Sequence, residues 1–124
     1  MPKTMLIVAD ECATARWLPG FCVERGWSVD TARDAAQARA RLEAGLAPDV
    51  ALVDAVLGED DGFETCQEIR QARPDAYLVI TSARAGRVAR LKARAAGADA
   101  YLPKPFELEA LARLIETREV QSWD

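Results

Sequence analysis

Short uninterrupted apolar runs recur along the chain at Met5–Val8, Val50–Val53, Tyr77–Ile80 and Ala100–Leu102, with a weaker one at Trp27–Val29. They are continuous rather than alternating, the pattern of strands buried on both faces of a parallel sheet. Between them the apolar residues fall at helical spacing. A first helix is expected over Thr14–Arg25, with Pro19-Gly20 kinking or interrupting it. A second runs from Asp34, a suitable N-cap, to Gly45, a suitable stop. A third spans Gly62–Arg73, with Phe63, Cys66 and Ile69 on one face and Pro74 ending it. A fourth covers Arg87–Ala96, closed by Gly97. A fifth starts after Pro105 and gathers Leu108, Leu111, Leu114 and Ile115 on one face.

Five strands alternating with five helices imply right-handed crossovers onto a parallel sheet covered on both sides. The expected fold is α/β and doubly wound, flavodoxin-like, with strand order 2-1-3-4-5. Ligands in such folds bind beyond the carboxyl ends of the strands, where the order reverses. The positions there are Asp10 and Glu11 after the first strand, Asp54 after the third, Thr81 and Ser82 after the fourth, and Lys104-Pro105 after the fifth.

Composition narrows the chemistry. The 124 residues suit a single domain, 1–124, and half are hydrophobic, enough for an ordinary core. No apolar run is long enough to span a bilayer, and no secretory leader pattern opens the chain, so a cytoplasmic location without a membrane partner is expected. Three cysteines without metal-site spacing read as reduced thiols. The absence of histidine excludes a Ser-His-Asp or Cys-His nucleophile, a histidine-bound zinc and a histidine general base. A net charge of −4 argues against direct contact with nucleic acid.

What remains is phosphoryl chemistry. Two carboxylates brought together repel, and a hard divalent cation relieves them; magnesium takes one or two carboxylates, keeps waters and binds phosphate oxygens. Lysine suits a phosphoryl oxygen as a point charge, and a threonine hydroxyl can donate to another. Asp54 can act as a nucleophile, since carboxylates form aspartyl phosphates. No glycine-rich phosphate cradle is present, which argues against a nucleoside triphosphate as direct donor.

These residues carry a resemblance over nearly the whole chain. The stretches Leu6-Ile7-Val8-Ala9-Asp10-Glu11, Leu52-Val53-Asp54 with Asp61-Gly62, Val79-Ile80-Thr81-Ser82-Ala83, Gly97-Ala98 and Tyr101-Leu102-Pro103-Lys104-Pro105-Phe106 resemble the receiver domain of two-component response regulators. The resemblance implies that Asp54 is the phosphoacceptor, loaded by a sensor histidine kinase or a histidine phosphotransfer protein. It implies Mg2+ (or Mn2+) on Asp10, Asp54 and the Val56 backbone carbonyl, with Glu11 a further possible ligand. Thr81 and Lys104 would hold the phosphoryl oxygens, Thr81 and Tyr101 would form the switch, and the Lys104-Pro105 bond would be cis. The output would be an altered surface on the fourth helix, fifth strand and fifth helix, read by an unknown downstream protein. The chain would be a receiver without an output domain, a monomer or a phosphorylation-linked weak dimer. It would turn over no conventional substrate beyond its own phosphorylation and slow dephosphorylation.

The chain departs from the family's pattern at two places. Ala9 stands where the first of two acids is usual, so weaker metal binding is expected. Gly58 stands where proline is usual, so a looser loop after Asp54 is expected. Val56 and Ala83, two residues beyond Asp54 and Thr81, cannot orient an attacking water, which implies slow loss of the phosphoryl group. Val56 also stands where Asp-dependent phosphatases and phosphotransferases carry a second acid, which argues against that class. The alternative reading is a pseudo-receiver, a protein-interaction module independent of phosphorylation. Basic residues at Arg84, Arg87, Arg90, Lys92 and Arg94, and acids at Glu59, Asp60, Asp61 and Glu64, form two opposed charge clusters; a solvated face is the plain explanation and an acidic partner the functional one.

Overall fold

A computed structural model describes residues 3–10, 13–83 and 86–119. Glu11, Cys12, Arg84 and Trp123 lie outside the described residues. The elements are β1 (Lys3–Val8), α1 (Ala13–Glu24), β2 (Trp27–Ala32), α2 (Ala35–Glu43), β3 (Val50–Asp54), β4 (Val56–Leu57), β5 (Asp60–Asp61), α3 (Gly62–Ala72), β6 (Tyr77–Ser82), α4 (Arg87–Ala95), β7 (Ala100–Pro103) and α5 (Leu108–Thr117). Five strands form one parallel sheet in the order β2-β1-β3-β6-β7. With the small β4–β5 hairpin set aside, this is the expected 2-1-3-4-5 order.

The continuous apolar runs are the buried central strands. Every residue of β3 and β6 is buried. On one face Leu6, Val8, Ala51, Val53, Leu78 and Ile80 pack with Ala38 and Leu42 of α2, Cys66 and Ile69 of α3 and Ala93 of α4. On the other, Met5, Ile7, Val50, Leu52 and Val79 pack with Leu18 and Cys22 of α1 and Leu111 and Ile115 of α5. Burial on both faces is the main stabilising contribution, roughly 25 cal/mol per Å² of apolar surface.

The helix boundaries follow local chemistry. Asp34 caps α2, its Oδ1 accepting from the Gln37 amide at 2.8 Å, while Gln37 Oε1 accepts from the Arg33 amide at 2.9 Å. Gly45 follows α2 and Gly97 follows α4, both with positive φ that suits glycine. Arg70, near the end of α3, donates to the carbonyls of Pro74, Ala76 and Gly97 and meets Asp99 at 2.7 Å. Asp99 in turn accepts from the Leu78 amide, so one guanidinium ties α3 to the start of β6 and the approach to β7.

The structure corrects the sequence reading in three places. Pro19 does not interrupt α1, which runs unbroken from Ala13 to Glu24. Burial of Leu18 and Cys22 against the sheet outweighs the backbone hydrogen bond that proline removes. β2 extends beyond Val29 to Ala32 because all six of its residues pair with β1, although its side chains are only partly buried at this edge. The β4–β5 hairpin is too short and too polar to show as a run.

Burial pushes the Cys22 thiol up to about 11 and the Cys66 thiol up to about 12. Reactivity belongs to the thiolate. At pH 8 both should therefore resist iodoacetamide in the native protein and react once urea unfolds it, as read by peptide mass mapping.

Candidate functional site

Parallel register builds the site. Asp54, the last residue of β3, lies opposite Thr81 of β6, and the Ala55 amide donates to the Thr81 carbonyl at 2.8 Å. Ser82 in β6 lies opposite Pro103 in β7, and the next amide, Lys104, donates to the Ser82 carbonyl at 2.7 Å. These contacts bring the three carboxyl-terminal strand ends level. The Lys104–Pro105 peptide bond is cis.

At the centre, Lys104 Nζ donates to Asp54 Oδ2 at 2.7 Å. Asp54 is 7 % exposed and Thr81 4 %. A carboxylate this buried requires a charged partner, and Lys104 supplies it. Asp54 still reaches solvent by one edge, so a small donor can approach it.

Asp10 stands one residue beyond Ala9, which continues the backbone past β1 through its bond to the Ala32 carbonyl. The Asp10 carboxylate accepts from the Gly58 amide at 3.1 Å. Gly58 lies at the turn of the hairpin with φ +63°, and proline at this position would have no amide hydrogen to give. The hairpin is held elsewhere too. Asp60 Oδ2 accepts from the Ala35 amide at 3.1 Å, and Asp61 caps α3 by accepting from the Phe63 amide at 2.8 Å. Three side-chain carboxylates thus accept amide hydrogens in or beside the hairpin that glycine was expected to loosen. The sequence showed that glycine restores an amide donor here, but not that the Asp10 carboxylate, 48 positions away, would accept from it.

Gly62 fixes the distance between α3 and Asp54. Its amide donates to the Ala55 carbonyl at 2.9 Å, and a Cβ here would land on the carbonyl oxygen of Asp54 and lie 2.8 Å from its carbonyl carbon. Only glycine fits, and sequence reasoning saw this position as part of a motif without its steric cause.

The remaining predicted residues are also placed. Val56, in β4, is exposed at the rim of the site and continues the backbone two residues from Asp54. Tyr101 is not at the surface: it is 3 % exposed and packs in the core cluster with Ala93, Ala96 and Ala98 on the α4 side of the sheet.

The donor set fits a divalent cation of the magnesium type. Two carboxylates, Asp10 and Asp54, and the Val56 carbonyl are oxygen donors of the number and hardness that such an ion accepts, with waters completing the shell. Among the described residues no group of three or more acidic, histidine or cysteine side chains is assembled. No helix among the described residues is long and apolar enough to cross a membrane.

Residues 5–116 match the family described as the response regulator receiver domain. The chain is 36 % identical over 111 residues to "Response regulator MprA" of Mycobacterium sp. (strain KMS), covering 90 % of this chain and 48 % of that protein. It is 36 % identical over 110 residues to "Protein PetR" of Rhodobacter capsulatus, covering 89 % and 46 %. The chain thus spans about half the length of these relatives. Among solved structures it resembles a CheY-like receiver domain protein from Methanospirillum hungatei JF-1, with a TM-score of 0.88, 26 % identity, and coverage of 95 % and 94 % of the two chains. It also resembles a Burkholderia pseudomallei response regulator described with a phosphorylated aspartic acid, calcium ion and citrate, with a TM-score of 0.83, 26 % identity, and coverage of 94 % and 68 %.

Gly62→Ala tests the steric constraint at the site. Backbone cannot yield as a side chain would, so the substitution should lower stability by about 3 kcal/mol, at the upper end of overpacking effects. A urea midpoint unchanged from wild type would show that α3 can withdraw from Asp54 without cost.

Proposed function

Because the chain belongs to the response regulator receiver domain family, we propose that Asp54 accepts a phosphoryl group from a histidine kinase or a histidine phosphotransfer protein. The observation that carries this reading is the buried Asp54 carboxylate held 2.7 Å from Lys104 Nζ and paired in register with Thr81. An Asp54 carboxylate oxygen attacks the donor's phosphorus. The bond from phosphorus to the donor nitrogen breaks, and the donor imidazole leaves with its electron pair. Lys104 exchanges a carboxylate oxygen for a phosphoryl oxygen, and the Thr81 hydroxyl donates to another. Asp10, Asp54 and the Val56 carbonyl would hold a magnesium ion, which when bound neutralises the charge that phosphoryl transfer concentrates.

Phosphorylation adds about −1.5 to −2 charges. Output follows if the phosphoryl group favours one of two existing states of the domain. In this reading Thr81 moves toward the phosphoryl group, Tyr101 follows, and the surface of α4, β7 and α5 changes for a partner protein. Val56 and Ala83 offer no side chain to orient a water, so the aspartyl phosphate is long-lived and no conventional substrate is turned over. Ala9 favours one competing reading, a pseudo-receiver that binds partners without phosphorylation.

Intact mass after incubation with acetyl phosphate, with and without magnesium, separates the two. Wild type should gain one phosphoryl group only with magnesium, and Asp54→Asn should gain none. No gain across a full titration of acetyl phosphate and magnesium, and none from a histidine kinase, would favour the pseudo-receiver. In the phosphorylated protein, Val56→Asn should speed loss of the group roughly ten-fold by positioning a water. Equal decay of the two proteins would remove Val56 as the cause of slow hydrolysis.

A further inference from the structure

Asp10 stands half-buried just beyond the end of β1. Among the described residues the hydrogen-bond donor to its carboxylate is the Gly58 amide, which reaches Oδ2 at 3.1 Å from 48 positions away in the chain. That amide is held by more than its own turn. Leu57, just before it, is 2 % exposed and packs in the core with Val8 and Val53. Beyond the turn, Asp60 accepts from the Ala35 amide at the start of α2 and Asp61 from the Phe63 amide at the start of α3. Leu57 pairs with Asp60 and Val56 with Asp61, which leaves Gly58 and Glu59 as the two turn residues. Positive φ at the first turn residue is a place that tight hairpins give to glycine.

We infer that the Gly58 backbone amide is a positioning group for a divalent cation at Asp10. The inference rests on the metal role proposed above for Asp10, Asp54 and the Val56 carbonyl. Asp54 is fixed by its strand and by Lys104. Asp10 has no strand to fix it, and the amide ties it to the hairpin that carries the Val56 carbonyl. One bond thus joins two of the three oxygen donors before the ion arrives. A carboxylate has two oxygens with about four lone-pair sites, so the bond to Oδ2 leaves Oδ1 for the cation. Groups held in their binding geometry beforehand lose less freedom when the ligand comes. Ligating carboxylates commonly accept such outer hydrogen bonds, and removing the partner lowers metal affinity by roughly 10- to 100-fold. Position 58 therefore needs two things at once, a hydrogen on nitrogen and a positive φ, and no side chain contributes to either.

The test is a 1H-15N NMR titration of the full chain with magnesium chloride alone, followed at the Ala55 amide beside Asp54. Gly58→Pro removes the donor. Gly58→Ala keeps the donor and bears the strain of positive φ. Gly58→Pro should weaken magnesium binding about ten-fold, and Gly58→Ala should stay much closer to wild type. The urea midpoint of each variant reports that the fold is kept. A second measurement needs no change at position 58. In the metal-free wild type the Gly58 amide should exchange with solvent more slowly than in Asp10→Ala, and it should stay protected when magnesium saturates the site.

Loss of that protection at saturation would show that the amide competes with the ion, and it overturns the inference even where Gly58→Pro does not fold. Unchanged or tighter binding in Gly58→Pro overturns it too, as does an equal loss in both variants, which would assign the effect to strain. A wild type that binds no magnesium removes the metal role of Asp10 and this inference with it. A wild type that binds magnesium while Gly58→Pro binds it equally well removes the inference alone.

Discussion

A carboxylate at the end of a buried central strand is unstable unless a cation is brought to it. Asp54 is such a carboxylate, and the Lys104 ammonium that meets it comes from the loop after β7, two strands away in the sheet. Much of the architecture serves this contact. β6 must separate β3 from β7 at the right register, and the Lys104 amide must bond the Ser82 carbonyl so that its side chain turns back across Thr81 toward Asp54. A lysine suits this position better than an arginine would. Its point charge can move from carboxylate to phosphoryl oxygen without a fixed fork geometry to satisfy. An isolated buried ion pair is a weak source of stability, because desolvation offsets attraction. Its persistence here fits a site arranged for a charge that arrives later.

The backbone after Asp54 is governed by two glycines with different reasons. Gly62 is required by exclusion: α3 starts so close to the Asp54 carbonyl that no side chain fits. Gly58 contributes a donor. Its amide reaches Asp10, and its positive φ makes the turn between β4 and β5. The two departures from the family pattern thus meet at one residue. Ala9 removes an acid beside Asp10, and Gly58 supplies Asp10 with a hydrogen bond that proline could not. The bond orients the remaining carboxylate while withdrawing some of its charge, so the site exchanges electrostatic strength for fixed geometry.

Most of the fold was legible because its signals are local. Continuous runs such as Val50–Val53 and Tyr77–Ile80 can be buried only on both faces, and caps such as Asp34 and stops such as Gly45 and Gly97 act within a turn. The positions of Asp10, Asp54, Thr81 and Lys104 followed from strand ends and motif spacing. What was illegible depends on contacts distant in sequence. Pro19 reads as a break until Leu18 and Cys22 are seen held against the sheet. The hairpin is made of residues that show no run, and it is pinned by partners 25 and 48 positions away. Tyr101 gave no hint whether it would lie inward, because that depends on the alanines of α4 above it.

Those alanines have a further mechanical consequence. α5 is anchored by Leu111 and Ile115 and α3 by Cys66 and Ile69, whereas α4 meets the core through Ala89 and Ala93, with Ala96 just beyond its end. Apolar stabilisation scales with the surface buried, and an alanine buries far less than a leucine or isoleucine. α4 is therefore the most weakly held of these three helices, and segments with few buried apolar contacts are the ones that shift or open at least cost. It also lies over Tyr101, which packs against its alanines. A phosphoryl group can bias a domain only by its differential preference for two states. The smaller the free energy that separates two positions of α4, the further a given preference moves the population. Weak anchoring of this helix thus lets it shift at the least cost of the three, while the buried strands beneath it hold Asp54 and Thr81 in register.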